Sequence, residues 1–138
     1  MPATTKLLVL LEQAHPTGLV RQLIELLARL PEHGLRPRLV CITRREQDVG
    51  ALQREIRTRG IAFDALVEAH AFDPGPLKQV RRIIEHWKPD ILESHGYKTV
   101  AYARALTLVE PGLPWVAFYH GRTSTDWKVR LYHFFERW

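Results

Sequence analysis

The sequence predicts an α/β fold in which a parallel sheet of about five strands lies between two layers of helices. Three observations predict it. Short apolar runs alternate with segments whose apolar residues recur at helical spacing. The apolar runs are nearly continuous, which suits strands covered on both faces rather than strands with one wet face. Glycine and proline stand at the junctions, where helices stop and strands start.

Each element follows in turn. Residues 6–12 (KLLVLLE) form the first strand. A loop of Gln13, Ala14, His15, Pro16, Thr17 and Gly18 leads into a helix marked by Leu19, Val20, Leu23, Ile24, Leu27 and Leu30, which Pro31 and Gly34 end. Residues 38–43 (RLVCIT) are the second strand. Val49, Leu52 and Ile56 mark a basic amphipathic helix, closed by Gly60 in the place of a left-handed cap. Residues 61–67 are the third strand. Pro74, Gly75 and Pro76 turn the chain and start a helix striped by Leu77, Val80, Ile83, Ile84 and Trp87. Lys88 and Pro89 break it before a fourth strand at 90–94. An alanine-rich helix at 98–108, a loop with Pro111, Gly112 and Pro114, and a fifth strand at 115–119 follow. A last helix spans about 126–138. Right-handed crossovers make this pattern a Rossmann-like, doubly wound fold of three αβα layers. There is no internal repeat, low-complexity stretch or linker, so residues 1–138 read as a single domain.

At 138 residues, a chain can bury roughly two-thirds of its unfolded surface. It needs neither disulfides nor a metal to fold. The one cysteine, Cys41, excludes an intrachain disulfide and fits a reducing compartment. The longest apolar run, residues 7–11, is far below the roughly 18 residues of a membrane span. Lys6 ahead of that run is faintly like a signal peptide, but Glu12 cuts the run short. The expected location is cytoplasmic, with peripheral membrane contact as a variant. The net charge of +5 and the excess of arginine suit phosphates, nucleic acid or an anionic membrane. Ordinary solvated helix faces explain the charge equally well. Nucleic acid is not an expected partner, because the aromatics sit at core spacing and are not interleaved with the basic residues.

The last helix places Trp127, Leu131, Phe134, Phe135 and Trp138 on one face. Leaving five such side chains exposed forfeits roughly 7–15 kcal/mol, as much as a whole domain's stability. That face is therefore expected to be covered, by the sheet, a partner, a membrane surface or further chain. A sequence that stops on this helix, with no closing strand, is expected of a domain cut short of its natural end.

Ligands of open α/β sheets bind beyond the carboxyl ends of the strands. Three loops fall there. His15, Pro16, Thr17 and Gly18 run into a helix N-terminus, where backbone N–H groups favour anions; a plain glycine turn is the other reading. His95, Gly96, Tyr97 and Lys98 stand at another helix start, with Lys98 suited to a phosphate or a sugar hydroxyl, or else simply solvated beside a capping histidine. His120, Gly121, Arg122 and Thr123 follow the fifth strand; a tight turn aims His120 into the cleft, or the imidazole is structural.

Several chemistries are excluded or disfavoured. There is no GxGxxG, GxxxxGK[ST] or GxSxG motif. His15, His95 and His120 lack the spacing of a zinc site, so no metal is expected. Glu12 and Glu68 are a poor match to the acidic cluster of a phospho-receiver domain.

Taken in order, His33–Gly34 with RLVCIT at 38–43, Gly60 before the third strand, KPDILESHG at 88–96 and PWVAFYHG at 114–121 resemble the N-terminal domain of the family-4 glycosyltransferases, which have the two-domain GT-B fold. The matching family patterns are GHxVxVxT, RPDVVHSHG and PVVxTxHG. The first loop departs from the family's GGxE, with one glycine and Arg21 following. The resemblance implies transfer of a sugar from a nucleotide-sugar donor, usually with retention at the anomeric carbon, and no cofactor beyond that donor. It implies that this domain holds a carbohydrate or lipid-linked acceptor, while a C-terminal domain holds the donor. By position, Thr17 and Gly18 would lie near the donor phosphates, His120 would serve as the catalytic residue at the reacting sugar, and His95, Gly96, Tyr97, Lys98 and Arg122 would face the acceptor. Lys128 would add positive charge. Without the donor half, a chain of this length is expected to be inactive alone. The rival expectation is a non-catalytic module that docks a partner or membrane through the aromatic helix.

Overall fold

A computed structural model describes residues 4–12, 17–45, 47–70 and 73–118. In chain order it contains β1 (Thr5–Leu11), α1 (Gly18–Arg29), a 3-10 turn (Leu30–His33), β2 (Leu35–Arg44), α2 (Gly50–Thr58), β3 (Ala62–Glu68), α3 (Gly75–Trp87), β4 (Ile91–His95), α4 (Tyr97–Val109) and β5 (Trp115–Phe118). All five strands are parallel, in the order β3-β2-β1-β4-β5. This is the expected Rossmann-like architecture. The order reverses between β1 and β4, which opens a crevice at their carboxyl ends.

The continuous apolar run of β1 follows from its central place. Leu8, Val9 and Leu10 are wholly buried. Successive side chains leave a strand on opposite faces, so both faces need apolar residues. Leu7, Val9 and Leu11 pack with Val20, Leu23, Ile24 and Leu27 of α1 and Leu52 and Ile56 of α2. Leu8 and Leu10 pack with Val80 and Ile84 of α3 and Ala103 and Leu106 of α4.

Most element ends shift by one residue from the sequence reading, and β2 shifts furthest. β2 starts at Leu35, three residues early. Gly34 adopts φ +78° and turns the chain straight into the strand, and its carbonyl accepts a bond from the Thr5 N–H at 3.0 Å. Pro37 is tolerated there because pairing with β3 begins only at Arg38. α4 starts at Tyr97 rather than Lys98, for a reason that lies in the site itself. The final helix about 126–138, with its aromatic face, lies outside the described residues.

The amino end of the sheet is held by side chains. Asp90 accepts the Lys6 backbone N–H at 2.8 Å, and the Lys6 ammonium bonds the Trp87 carbonyl at 2.9 Å. The KPD part of the motif at 88–96 is thus structural. It ties β4 to β1 at the end of the sheet opposite the crevice.

Candidate functional site at the carboxyl end of the sheet

α1 begins with Thr17 as its cap: the Thr17 hydroxyl accepts the Val20 N–H at 3.4 Å. Gly18 is the first helical residue. A Cβ added there meets nothing within 4 Å, so no described protein atom demands glycine at this position. Among the described residues the space beside it is open.

The turn after β4 is built differently. Gly96 sits at φ +104° and ψ 169°, a region essentially reserved for glycine. It offers no side chain to cap α4. The Glu12 carboxylate, at the end of β1, does so instead. It accepts the Lys98 N–H at 3.1 Å and is also held by the Tyr97 backbone N–H. This reach across from β1 is why the helix starts at Tyr97. A Cβ on Gly96 would lie 2.9 Å from Glu12 Cγ and 2.5 Å from Cδ, with Oε1 closer still. Glycine is therefore required at 96 on two counts, backbone conformation and space.

Burial pushes the Glu12 carboxyl above its ordinary range; the two backbone N–H groups and Lys98 pull the other way. Cys41, on β2, is pushed up to about 12 by burial and by the neighbouring Glu12. Its thiol is inert at physiological pH.

Of the two readings of Lys98, a cation for a ligand or a solvated one, the solvated one does not hold. Its ammonium is bonded to Glu68, at the end of β3, whose other oxygen accepts the Tyr102 hydroxyl at 3.1 Å. The side chains of Lys98 and Glu68 are 14% and 2% exposed. Nor does a histidine cap α4. The His95 ring is buried, bonded through Nε2 to Glu93, and stacked on Phe118 with centroids 4.9 Å apart and planes 6° from parallel.

The four residues at 95–98 therefore divide between the two faces of the sheet. His95 follows Ile91 and Glu93 at period two, and faces α1. There it lines an apolar pocket of about 220 Å³ with Leu19, Leu23, Leu26, Glu93 and Phe118. Lys98 reaches over the other face to Glu68 and α4. Thr17, Gly18, Gly96 and Tyr97 stand at the two helix starts that flank the crevice. His15, His120, Arg122 and Lys128 lie outside the described residues. No group of three or more metal-binding side chains occurs among the described residues, and none of their helices is long and apolar enough to cross a membrane.

Glu12 and Glu68, weighed in the sequence only as an acidic cluster, and Glu93, not weighed at all, are the residues whose roles the sequence reading missed. Glu12 follows the last residue of β1 and Glu68 ends β3, a placement that marks the rim of a crevice. Glu93 and His95 are two apart on a strand, a spacing that puts them on one face.

A family model described as Glycosyltransferase Family 4 matches residues 16–138. No curated protein matches the chain. Among solved structures, a crystal structure from Listeria monocytogenes assigned as a UDP-N-acetylglucosamine 2-epimerase superposes with a TM-score of 0.61 at 16% identity. The match covers 85% of this chain and 31% of that one, so the chain spans about a third of that protein's length. At that identity the likeness establishes the fold alone.

Proposed function

The chain belongs to glycosyltransferase family 4, and on that premise we propose that it is the acceptor-side domain of a retaining, nucleotide-sugar-dependent glycosyltransferase. The family match over residues 16–138 is the observation that carries the reading. The crevice between β1 and β4 supports it, because ligands of this fold bind at the point where strand order reverses.

In this reading residues 1–138 act as one domain of a two-domain enzyme, and a second Rossmann-like domain supplies most of the donor site. The donor phosphates approach the start of α1 at Thr17 and Gly18, because a helix N-terminus favours anions. Backbone amides and basic side chains stabilise the departing diphosphate. His120 lies at the reacting sugar and steadies the charge that develops there. His95, Gly96, Tyr97, Lys98 and Arg122 serve the acceptor, a carbohydrate or lipid-linked glycan. Lys98 contributes through the turn it anchors, since its ammonium is committed to Glu68. The 138-residue span transfers little or no sugar alone. A cytoplasmic location with peripheral membrane contact belongs to the same reading.

The test is made in a complete enzyme of the family. Alanine at the position matching His120 lowers turnover by about 10²–10³-fold, the usual cost of one preorganised charge-stabilising group. Full turnover in that variant refutes the assignment.

A second reading has one observation in its favour. Leu26 and Phe118 beside the apolar pocket, and Val116 on the same face of β5, are 55%, 42% and 46% exposed. Such a surface suits a non-catalytic module that docks a partner or membrane. Gel filtration with and without anionic liposomes decides: co-elution with lipid supports docking, and a monomer indifferent to lipid counts against it.

A further inference from the structure

The apolar pocket between α1 and the sheet lies at the crevice end of the molecule. Leu11 ends β1, His95 ends β4 and Phe118 ends β5, and Leu19, Leu23 and Leu26 of α1 line the other side. Its polar residues are few. Glu93 and His95 are bonded to each other, and Gln22 stands exposed at the edge. A polar ligand gains little from such a lining, and an apolar one strands little. Leu26 and Phe118 are 55% and 42% exposed, so apolar surface at the lip is open to an occupant. At about 220 Å³ the pocket has room for roughly seven methylene-sized groups, taking about 30 Å³ for each. His95 also joins the pocket to the candidate site, because Gly96 and Tyr97 follow it directly and turn the chain into α4 at the crevice.

We propose that this pocket seats a hydrocarbon chain of the acceptor, so that the acceptor is lipid-linked and its sugar lies at the 95–97 turn. This rests on the acceptor-side reading and narrows it from carbohydrate in general to a sugar carried on an apolar chain. The part of a longer chain that the pocket cannot hold runs out over the lip at Leu26 and Phe118, where Val116 extends the apolar surface on the same face of β5.

The experiment titrates the ¹⁵N-labelled full chain with n-alkyl β-D-glucosides from methyl to decyl, each below its micellar concentration. Methyl glucoside gives no saturable shift at the pocket. From butyl upward the amides of Leu23, Leu26, His95 and Phe118 shift saturably. Affinity rises about two- to fourfold per added methylene, and the rise levels off near roughly seven carbons, when the pocket is full. Leu26→Glu changes an exposed side chain at the lip and weakens octyl glucoside by about tenfold or more. Leu108→Glu, at a 72% exposed position on α4 outside the pocket lining, leaves that affinity unchanged. Affinity independent of chain length, a rise that continues unbroken to decyl, or binding indifferent to Leu26→Glu overturns the proposal. So do shifts at these amides from phosphatidylglycerol vesicles with the soluble glucosides silent, which assign the face to a bilayer, or from raising the protein concentration alone, which assign it to a second copy. Failure of the acceptor-side reading shows differently: n-octanol binds as tightly as octyl glucoside and the glucosyl group leaves Gly96 and Tyr97 unshifted, while the chain-length dependence stands.

Discussion

Replacing Gly96 by alanine should be the most damaging single-methyl change in the described chain. Two costs add. A non-glycine residue held at φ +104° and ψ 169° is strained by about 1–3 kcal/mol. The new Cβ also lies 2.9 Å from Glu12 Cγ and 2.5 Å from Cδ, so the carboxylate must leave. Its departure strands the Tyr97 and Lys98 N–H groups in a partly buried site, at about 1–3 kcal/mol. The expected total is about 2–6 kcal/mol, a large share of the roughly 5–15 kcal/mol that holds a domain folded. Gly60→Ala is the control. That residue also has positive φ, at +74°, but a Cβ there meets nothing within 4 Å. It should lose only the conformational part, about 1–2 kcal/mol. Urea unfolding midpoints at unchanged slope measure both. In a Glu12→Ala background the clash part of the Gly96 loss, about 1–3 kcal/mol, should vanish and the backbone strain remain. Equal losses at Gly96 and Gly60, or a Gly96 loss undiminished by removal of Glu12, refute the reasoning.

Four further outcomes can be measured, three of them at the same rim. Glu12 has its folded pKa raised, chiefly by burial, so its contribution to stability is fully present below its unfolded pKa and is lost as pH rises through the folded one. Stability should decline across the window just above the ordinary carboxylate range, and Glu12→Gln should flatten that decline; an unchanged slope contradicts it. Lys98→Met leaves Glu68 buried without its cation and should cost about 3–5 kcal/mol by urea unfolding. Loss of the Arg59–Glu25 pair, exposed at 37% and 53%, should be negligible in the same measurement. Cys41, buried with its thiol pushed up to about 12, should resist a thiol reagent at pH 8 until the chain is unfolded; labelling at the rate of a free cysteine contradicts its burial.

Most of the fold was legible because its signals are local. The run at residues 7–11 announced a strand covered on both faces, and β1 is that strand, at the centre of the sheet. Gly34 and Gly60 announced chain reversals, and both adopt positive φ. What escaped was carried by contacts between residues far apart in sequence. Glu12 meets Lys98 across 86 positions, and Glu68 meets Lys98 across 30. Neither separation leaves a trace in hydrophobic periodicity. Both glutamates were weighed only against an unrelated acidic cluster, so their partner at the start of α4 went unseen. For the same reason Lys98 read as a cation for a phosphate or sugar hydroxyl, or else a solvated one, and not as the partner of Glu68. Glu93 and His95 were within reach of a closer reading: on a strand, residues two apart share a face, and the pair bonds there. The KPDILESHG segment proved to be two devices. Its Asp90 fastens the amino end of the sheet, and its His95 and Gly96 shape the crevice at the other end.

The most direct measurement is amide chemical-shift mapping of the ¹⁵N-labelled chain against a panel of neutral oligosaccharides. The account predicts that the perturbed amides cluster at the crevice, at Gly18, Gly96, Tyr97 and Lys98. Perturbations centred on the arginine-bearing face of α2 or on the opposite end of the sheet around Lys6 and Asp90, with the crevice silent, would contradict it.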